Sequence, residues 1–171
     1  MVFLDANILL EIALANRPNY AAVKQLLGSI RQETAISLLT VHLVLHFGRQ
    51  AGAEDAFLHA VINENKLLPL LPEDYEWATN NEQGRDFEDA LQLAAAVRYG
   101  CDTVVTQDVK FAKRYADWPI EFLLPAKEKN LWDEAADGAD ELHEDEAHVG
   151  YRTDEDYVRA INVLRLELEN N

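Results

Sequence analysis

Apolar and polar residues follow two periods along the chain, and the switches between them mark out the elements. Val2-Phe3-Leu4 is an apolar run rich in strand formers that ends at Asp5. Helical spacing begins at once with Ile8, Leu9, Leu10 and Ile12, is broken by Arg17-Pro18-Asn19, and resumes at Tyr20, Val23, Leu26, Leu27 and Ile30. Thr34-Ala35-Ile36-Ser37 predicts a second strand. Thr40 is then expected to cap a helix through Phe47, stopped by Gly48 or Gly52. Residues 54–63 read as another helix, and residues 67–72 as an extended segment whose prolines suit a sheet margin.

The second half repeats the scheme. Residues 73–80 predict a helix and 81–85 a polar loop. Residues 86–100 make a strong helix, with acids in the first turn, an alanine-rich interior and a terminal glycine. Thr103-Val104-Val105-Thr106 is a buried-type strand ending at Gln107-Asp108; a short helix over 109–115 and a last strand over 120–124 follow. Strands alternating with helices predict a three-layer α/β/α fold on a parallel sheet of about five strands. No internal repeat is present.

Charge adds a boundary. The net charge is −16 over 171 residues. Residues 1–126 carry 17 acids and 10 Lys/Arg, a balance of −7, whereas residues 127–171 carry 14 acids and 5 Lys/Arg, a balance of −9. The expected organisation is therefore a domain over 1–126 and an acidic extension over 127–171. In the extension Tyr157, Ile161, Leu164 and Leu168 form an amphipathic stripe after a helix start at Thr153-Asp154-Glu155-Asp156. The stripe is expected to pack on its own domain or at a dimer interface. A surface this acidic repels nucleic acid at long range, so a broad basic binding face is not expected.

Other composition changes little. No apolar run approaches a membrane span and no basic-then-apolar leader opens the chain. The single Cys101 allows no intramolecular disulfide and suits a reducing cytoplasm; beside Gly100 it reads as a small buried hydrophobe.

The chemistry lies at the strand ends. Asp5 follows one apolar strand and precedes a helix, and Asp108 repeats that arrangement. In parallel sheets this carboxyl edge is where ligands sit. Asp89, in the first turn of the alanine-rich helix, can point across the same edge. Each acid also has a plain role: helix cap for Asp5, helix-dipole partner for Asp89, turn former for Asp108. Several acids gathered together are costly unless a cation neutralises them, and a hard divalent ion such as Mg²⁺ or Mn²⁺ resolves that conflict.

Three segments in order carry a resemblance: Val2-Phe3-Leu4-Asp5-Ala6-Asn7, then Asp86-Phe87-Glu88-Asp89-Ala90-Leu91-Gln92, then Val104-Val105-Thr106-Gln107-Asp108-Val109-Lys110-Phe111. Over residues 1–126 the chain resembles a PIN domain. The resemblance implies a parallel sheet flanked by helices and, as in many PIN domains, a Mg²⁺- or Mn²⁺-dependent ribonuclease, the best-populated bacterial group being the VapC-like toxins of toxin–antitoxin pairs. It implies Asp5, Asp89 and Asp108 as metal ligands and catalytic residues, with Asn7 and Thr106 orienting the carboxylates or the attacking water. Asp86, one turn before Asp89, is a reserve ligand by position, its plain role being, like that of Glu88, to favour the helix dipole. The partners that the resemblance implies are an RNA substrate, a protein antitoxin and a second copy of the chain, and with an RNA substrate the sharper expectation for the acidic stretch over 127–171 is that it competes with RNA as an intramolecular brake.

One departure stands out. PIN nucleases usually carry a glutamate on the helix after the second strand; Leu43 stands there, and no acid lies between Thr40 and Gly48. Either three aspartates hold the ion with help from a neighbour, or catalysis is weakened or lost and the scaffold binds RNA or protein. His42 and His46 share a helical face at a spacing that can bind a transition metal, but among Leu43, Val44, Leu45 and Phe47 they are expected to be partly buried structural groups. Lys110, Lys113 and Arg114 form a small basic patch for RNA, each taken singly being an ordinary solvated residue. A remoter alternative, a phosphatase-like enzyme with Asp5 as nucleophile, wants a second acid where Asn7 stands.

Overall fold

Side chains along a strand point to opposite faces in turn, and here each face meets its own core. The computed structural model describes residues 1–14, 16–82 and 86–126. Its strands are β1 (Val2–Leu4), β2 (Thr34–Ser37), β3 (Lys66–Leu68), β4 (Thr103–Val105) and β5 (Glu121–Leu123). All neighbours pair in parallel in the order β3-β2-β1-β4-β5. Helices α1 (Ala6–Ala13), α2 (Tyr20–Ser29), α3 (Leu38–Gln50) and α4 (Asp55–Asn63) precede β3; α5 (Pro72–Asn81), α6 (Phe87–Arg98) and α7 (Val109–Arg114) follow it.

Val2, Leu4, Ile36 and Val105 pack with α1 to α4, whereas Phe3, Ala35, Leu68 and Val104 pack with α5 to α7. This is the three-layer arrangement that the hydrophobic pattern predicts, with β3 and its neighbouring prolines at one margin. The buried alanines Ala90, Ala94, Ala95 and Ala96 let α6 lie close to the sheet. Helices α5 and α6 are further joined by Asp74, which is 2% exposed and holds Arg98 through bonds of 2.6 Å to both carboxylate oxygens. Asp74 also accepts from the Leu71 amide at 2.8 Å, so one acid closes α5 and ties it to α6.

Helix α3 starts earlier than expected. Its cap is Ser37, whose hydroxyl accepts from the Thr40 amide at 3.0 Å, and not Thr40. Ser37 ends β2 and can cap without an intervening loop; Thr40, one turn inside, is free to donate its hydroxyl elsewhere. The helix runs past Gly48 to Gln50, and Gly52 follows it with a φ of +81°. Cys101 is buried, as expected, and burial pushes its thiol up to about 11. Among the described residues no helix is long and apolar enough to cross a membrane. The acidic extension over 127–171, its amphipathic stripe and its braking role lie outside the described residues.

Candidate active site

Strand β1 has β2 on one side and β4 on the other, and the chain reverses its direction of winding between β1 and β4. Such a switch point opens a crevice beyond the strand ends. Continuing the alternation past Leu4 and Val105 turns Asp5 and Thr106 toward the α6 face. Asp5 is 6% exposed. Although it occupies the N-cap position of α1, its side chain makes no capping bond. Instead, Asp5 Oδ2 accepts from Thr106 Oγ1 at 2.6 Å and from Asn7 Nδ2 at 2.6 Å. Burial pushes its carboxyl above the ordinary range; the Thr106 bond works the other way.

The two donors are themselves held. Asn7 Nδ2 also donates to Thr106 Oγ1 at 3.1 Å, while its Oδ1 accepts from the Gln107 amide at 3.0 Å. Thr106 Oγ1 accepts from the Asp108 amide at 2.9 Å. The Gln107 side chain then reaches the carbonyl of Asn7 and the buried Glu11, which binds Arg17 and the Asn19 amide. Gln107 and Glu11 were not among the residues singled out in the sequence, where each reads as an ordinary helix or loop polar group.

Asp108 does cap α7: its Oδ1 accepts from the amides of Lys110 at 2.7 Å and Phe111 at 3.0 Å. That bond fixes the carboxylate and leaves Oδ2 4.0 Å from the Arg114 guanidinium. The same guanidinium bonds Asp86 at 2.9 Å and Asp89 more closely still. Asp86, Asp89 and Asp108 thus surround one cation, and Arg114 faces these acids while Lys110 and Lys113 are exposed. Burial works against the Arg114 charge, but the bond to Asp86 and the charges of Asp89, Asp86 and Asp108 outweigh it and hold its pKa above the ordinary value.

One guanidinium does not neutralise this many acids. Burial, then the charges of Asp86 and Asp5, push Asp89 up to about 9. Its neighbour Glu88 is pushed up to about 8 by burial and by the charges of Asp5 and Asp86. Glu88 Oε1 accepts from Gln92 Nε2 at 3.2 Å, and Gln92 Oε1 accepts from Thr40 Oγ1 at 2.9 Å. The sequence offers Glu88 only as a helix-dipole partner; its i,i+4 spacing to Gln92 was the available signal. Leu43, at the position of the expected glutamate, is 2% exposed and packs in the core beside α1 and β1.

The donor chemistry fits a hard divalent ion, since every candidate ligand is a carboxylate and their charges hinder each other's ionisation. Among the described residues, however, no three acids or histidines already enclose a point that could hold an ion; Arg114 lies among the acids. Asp5, Asp89 and Asp108 lie close enough to oppose one another's charge. His42 and His46 stack at 5.8 Å; burial, with His46 adding to it, holds His42 below the ordinary histidine range, and His46 bonds Gln50.

The model of the family described as PIN domain matches residues 1–110. No curated protein matches significantly. Several solved structures resemble the fold. A toxin–antitoxin complex from Klebsiella pneumoniae superposes with a TM-score of 0.60 at 22% identity, covering 74% of this chain and 99% of that one. VapC20 of Mycobacterium tuberculosis, described as a sarcin–ricin-loop-cleaving toxin, gives 0.56 at 16% identity over 66% of this chain and 94% of its own. VapBC2 from Rickettsia felis, bound to a DNA fragment from its promoter, gives 0.55 at 15% identity over 72% and 98%.

Proposed function

The chain belongs to the PIN domain family, and from that premise we propose that it is a divalent-metal-dependent endoribonuclease, the toxin of a toxin–antitoxin pair. The observation that carries this is the gathering of Asp5, Asp89 and Asp108 at the β1/β4 switch point around too little positive charge. When bound, Mg²⁺ or Mn²⁺ supplies an activated water and stabilises charge on the scissile phosphate. The protein's own residues do the positioning. Asn7 and Thr106 fix the Asp5 carboxylate through two bonds to one oxygen, and the α7 amides fix Asp108. Exposed Lys110 and Lys113 flank the site and meet the phosphate backbone of RNA, a local patch on an otherwise repelling surface.

The partners that follow are an RNA substrate, a protein antitoxin and a second copy of the chain, and the setting is the cytoplasm. The PIN domain spans 1–126 and the acidic extension 127–171. A second reading is a PIN scaffold that binds RNA or protein without cutting; it is favoured by the buried Leu43 and by the guanidinium among the acids.

One experiment separates the two. The purified protein is incubated with mixed RNA and Mn²⁺ or Mg²⁺ beside an Asp5→Asn variant. Cleavage that disappears in the variant is expected. Identical traces from both proteins, with no heat of metal binding by calorimetry, refute the nuclease.

A further inference from the structure

We infer that Gln107 is a positioning residue for the Asp5 carboxylate: its side chain, anchored on the buried Glu11, holds Asn7 in the pose that grips Asp5. The inference rests on the metal-site reading given above, in which Asp5 is a ligand, and assigns a role to a group that touches neither ion nor RNA.

Asn7 can serve Asp5 only one way round. Its Nδ2 donates to Asp5 Oδ2 at 2.6 Å; turned over, the amide would set Oδ1 against that same carboxylate oxygen, two acceptors facing each other. The Gln107 backbone amide excludes the turned pose, because it donates to Asn7 Oδ1 at 3.0 Å. Residue 107 lies in the turn between β4 and α7, so its backbone must be held at that distance from α1. Its own side chain holds it. Nε2 donates to the Asn7 carbonyl at 3.0 Å and to Glu11 Oε2 at 3.3 Å, both on α1, and Oε1 accepts from Asn19 Nδ2 at 2.6 Å. Asn7 is thus gripped at its side chain and at its carbonyl by one residue 100 positions further along.

The anchor suits this task. Glu11 is 1% exposed, and its carboxylate accepts from Arg17 Nε at 3.2 Å and from the Asn19 amide besides Gln107. A buried carboxylate supplied with donors at both oxygens is held in one position. Arg17 and the Asn19 amide would by themselves tie the α1–α2 loop; Gln107 extends the network to the site. Asn19 stands at the N-cap of α2 yet makes no side-chain capping bond, its Nδ2 being committed to Gln107. The position calls for a side chain of this length that donates to two acceptors and accepts from one donor. An ionised glutamate cannot donate, lysine and arginine cannot accept, and asparagine is a methylene short. The route runs Glu11, Gln107, Asn7, Asp5, and outer bonds of this kind orient a metal-binding carboxylate.

The test is Mn²⁺ titration of the full chain by calorimetry, with thermal melts of the metal-free proteins. The variants are Gln107→Met, similar in length but without an amide, Asn7→Ala, the double variant of these two, Asp5→Asn, and Asp74→Ala as a destabilised control away from the site. Gln107→Met is expected to weaken Mn²⁺ binding about tenfold, whereas Asp74→Ala melts lower and binds as wild type. Because Gln107 acts through Asn7, the double variant is expected to bind within about twofold of Asn7→Ala alone; losses that multiply overturn that route. Should Gln107→Met fail to fold, Gln107→Asn decides alone: binding about fivefold weaker supports the assignment, and wild-type affinity overturns it. Gln107→Met binding within about twofold of wild type, with Asp5→Asn binding abolished, overturns the positioning role and leaves the metal site standing. No Mn²⁺ binding by wild type overturns both.

Discussion

Arg114 offers the sharpest test of the charge balance at the site. Its guanidinium bonds Asp86 and Asp89 and lies 4.0 Å from Asp108. Replacing it in Arg114→Gln leaves these acids without their cation. Removing one partner of a well-buried ion pair costs about 3–5 kcal/mol. The cost here is smaller for two reasons. Asp89, pushed up to about 9, already holds its proton at neutral pH with the guanidinium in place, and Asp86 is solvated at 39% exposure. A loss of about 2 kcal/mol follows, a fall of roughly 8 °C in Tm for a domain of this size.

Divalent metal should reverse the ranking. In wild type an arriving ion contends with the guanidinium for Asp89 and Asp108; in the variant it does not. If the whole of that interaction is released to the ion, Mn²⁺ binds the variant about 30-fold more tightly. Differential scanning fluorimetry with and without Mn²⁺ reads both effects. The expected pattern is a lower metal-free Tm for Arg114→Gln and a larger gain on adding Mn²⁺. Equal gains in the two proteins refute the idea that ion and guanidinium share the same carboxylates.

Two further outcomes follow from the same structure. Glu88 and Asp89 have folded pKa values raised to about 8 and 9 from ordinary values of 4.5 and 3.8. Between about pH 4 and 9 the folded protein therefore holds more protons than the unfolded chain, so metal-free stability falls as pH rises through that window and levels above it. Urea unfolding in EDTA at pH 5, 7 and 9 measures this, and a slope unchanged in Glu88→Gln counts against Glu88 as a source. Away from the site, Asp74→Ala removes both ion-pair bonds to Arg98, which keeps the Pro69 carbonyl, and leaves the Leu71 amide without its acceptor. It is expected to cost about 2–3 kcal/mol by urea unfolding without altering Mn²⁺ affinity; a loss under 1 kcal/mol shows that the pair does not tie α5 to α6.

Much of the fold was legible because local pattern and tertiary burial agree. The triplets Val2-Phe3-Leu4 and Thr103-Val104-Val105 are buried on both faces, so they read as strands whatever their neighbours. The acid-capped, alanine-rich α6 and the parallel α/β layering were equally plain in composition and period. The start of α3 was not, since Ser37 and Thr40 are both good caps and only the backbone geometry decides which hydroxyl accepts.

Sequence alone determined that Asp5, Asp89 and Asp108 stand at element ends, because strand-to-helix transitions are written in the hydrophobic period. It also determined that α3 lacks an acid. Only the tertiary structure decided strand order, and with it that β1 and β4 adjoin and bring Thr106 onto Asp5. It alone turned Arg114 from a solvated residue of a basic patch into the cation among the acids, and joined Thr40 through Gln92 to Glu88. The physical reason is range. Periodicity records which face of each element is buried, whereas charge balance and hydrogen-bond relays depend on residues as far as 101 positions apart meeting within hydrogen-bond distance.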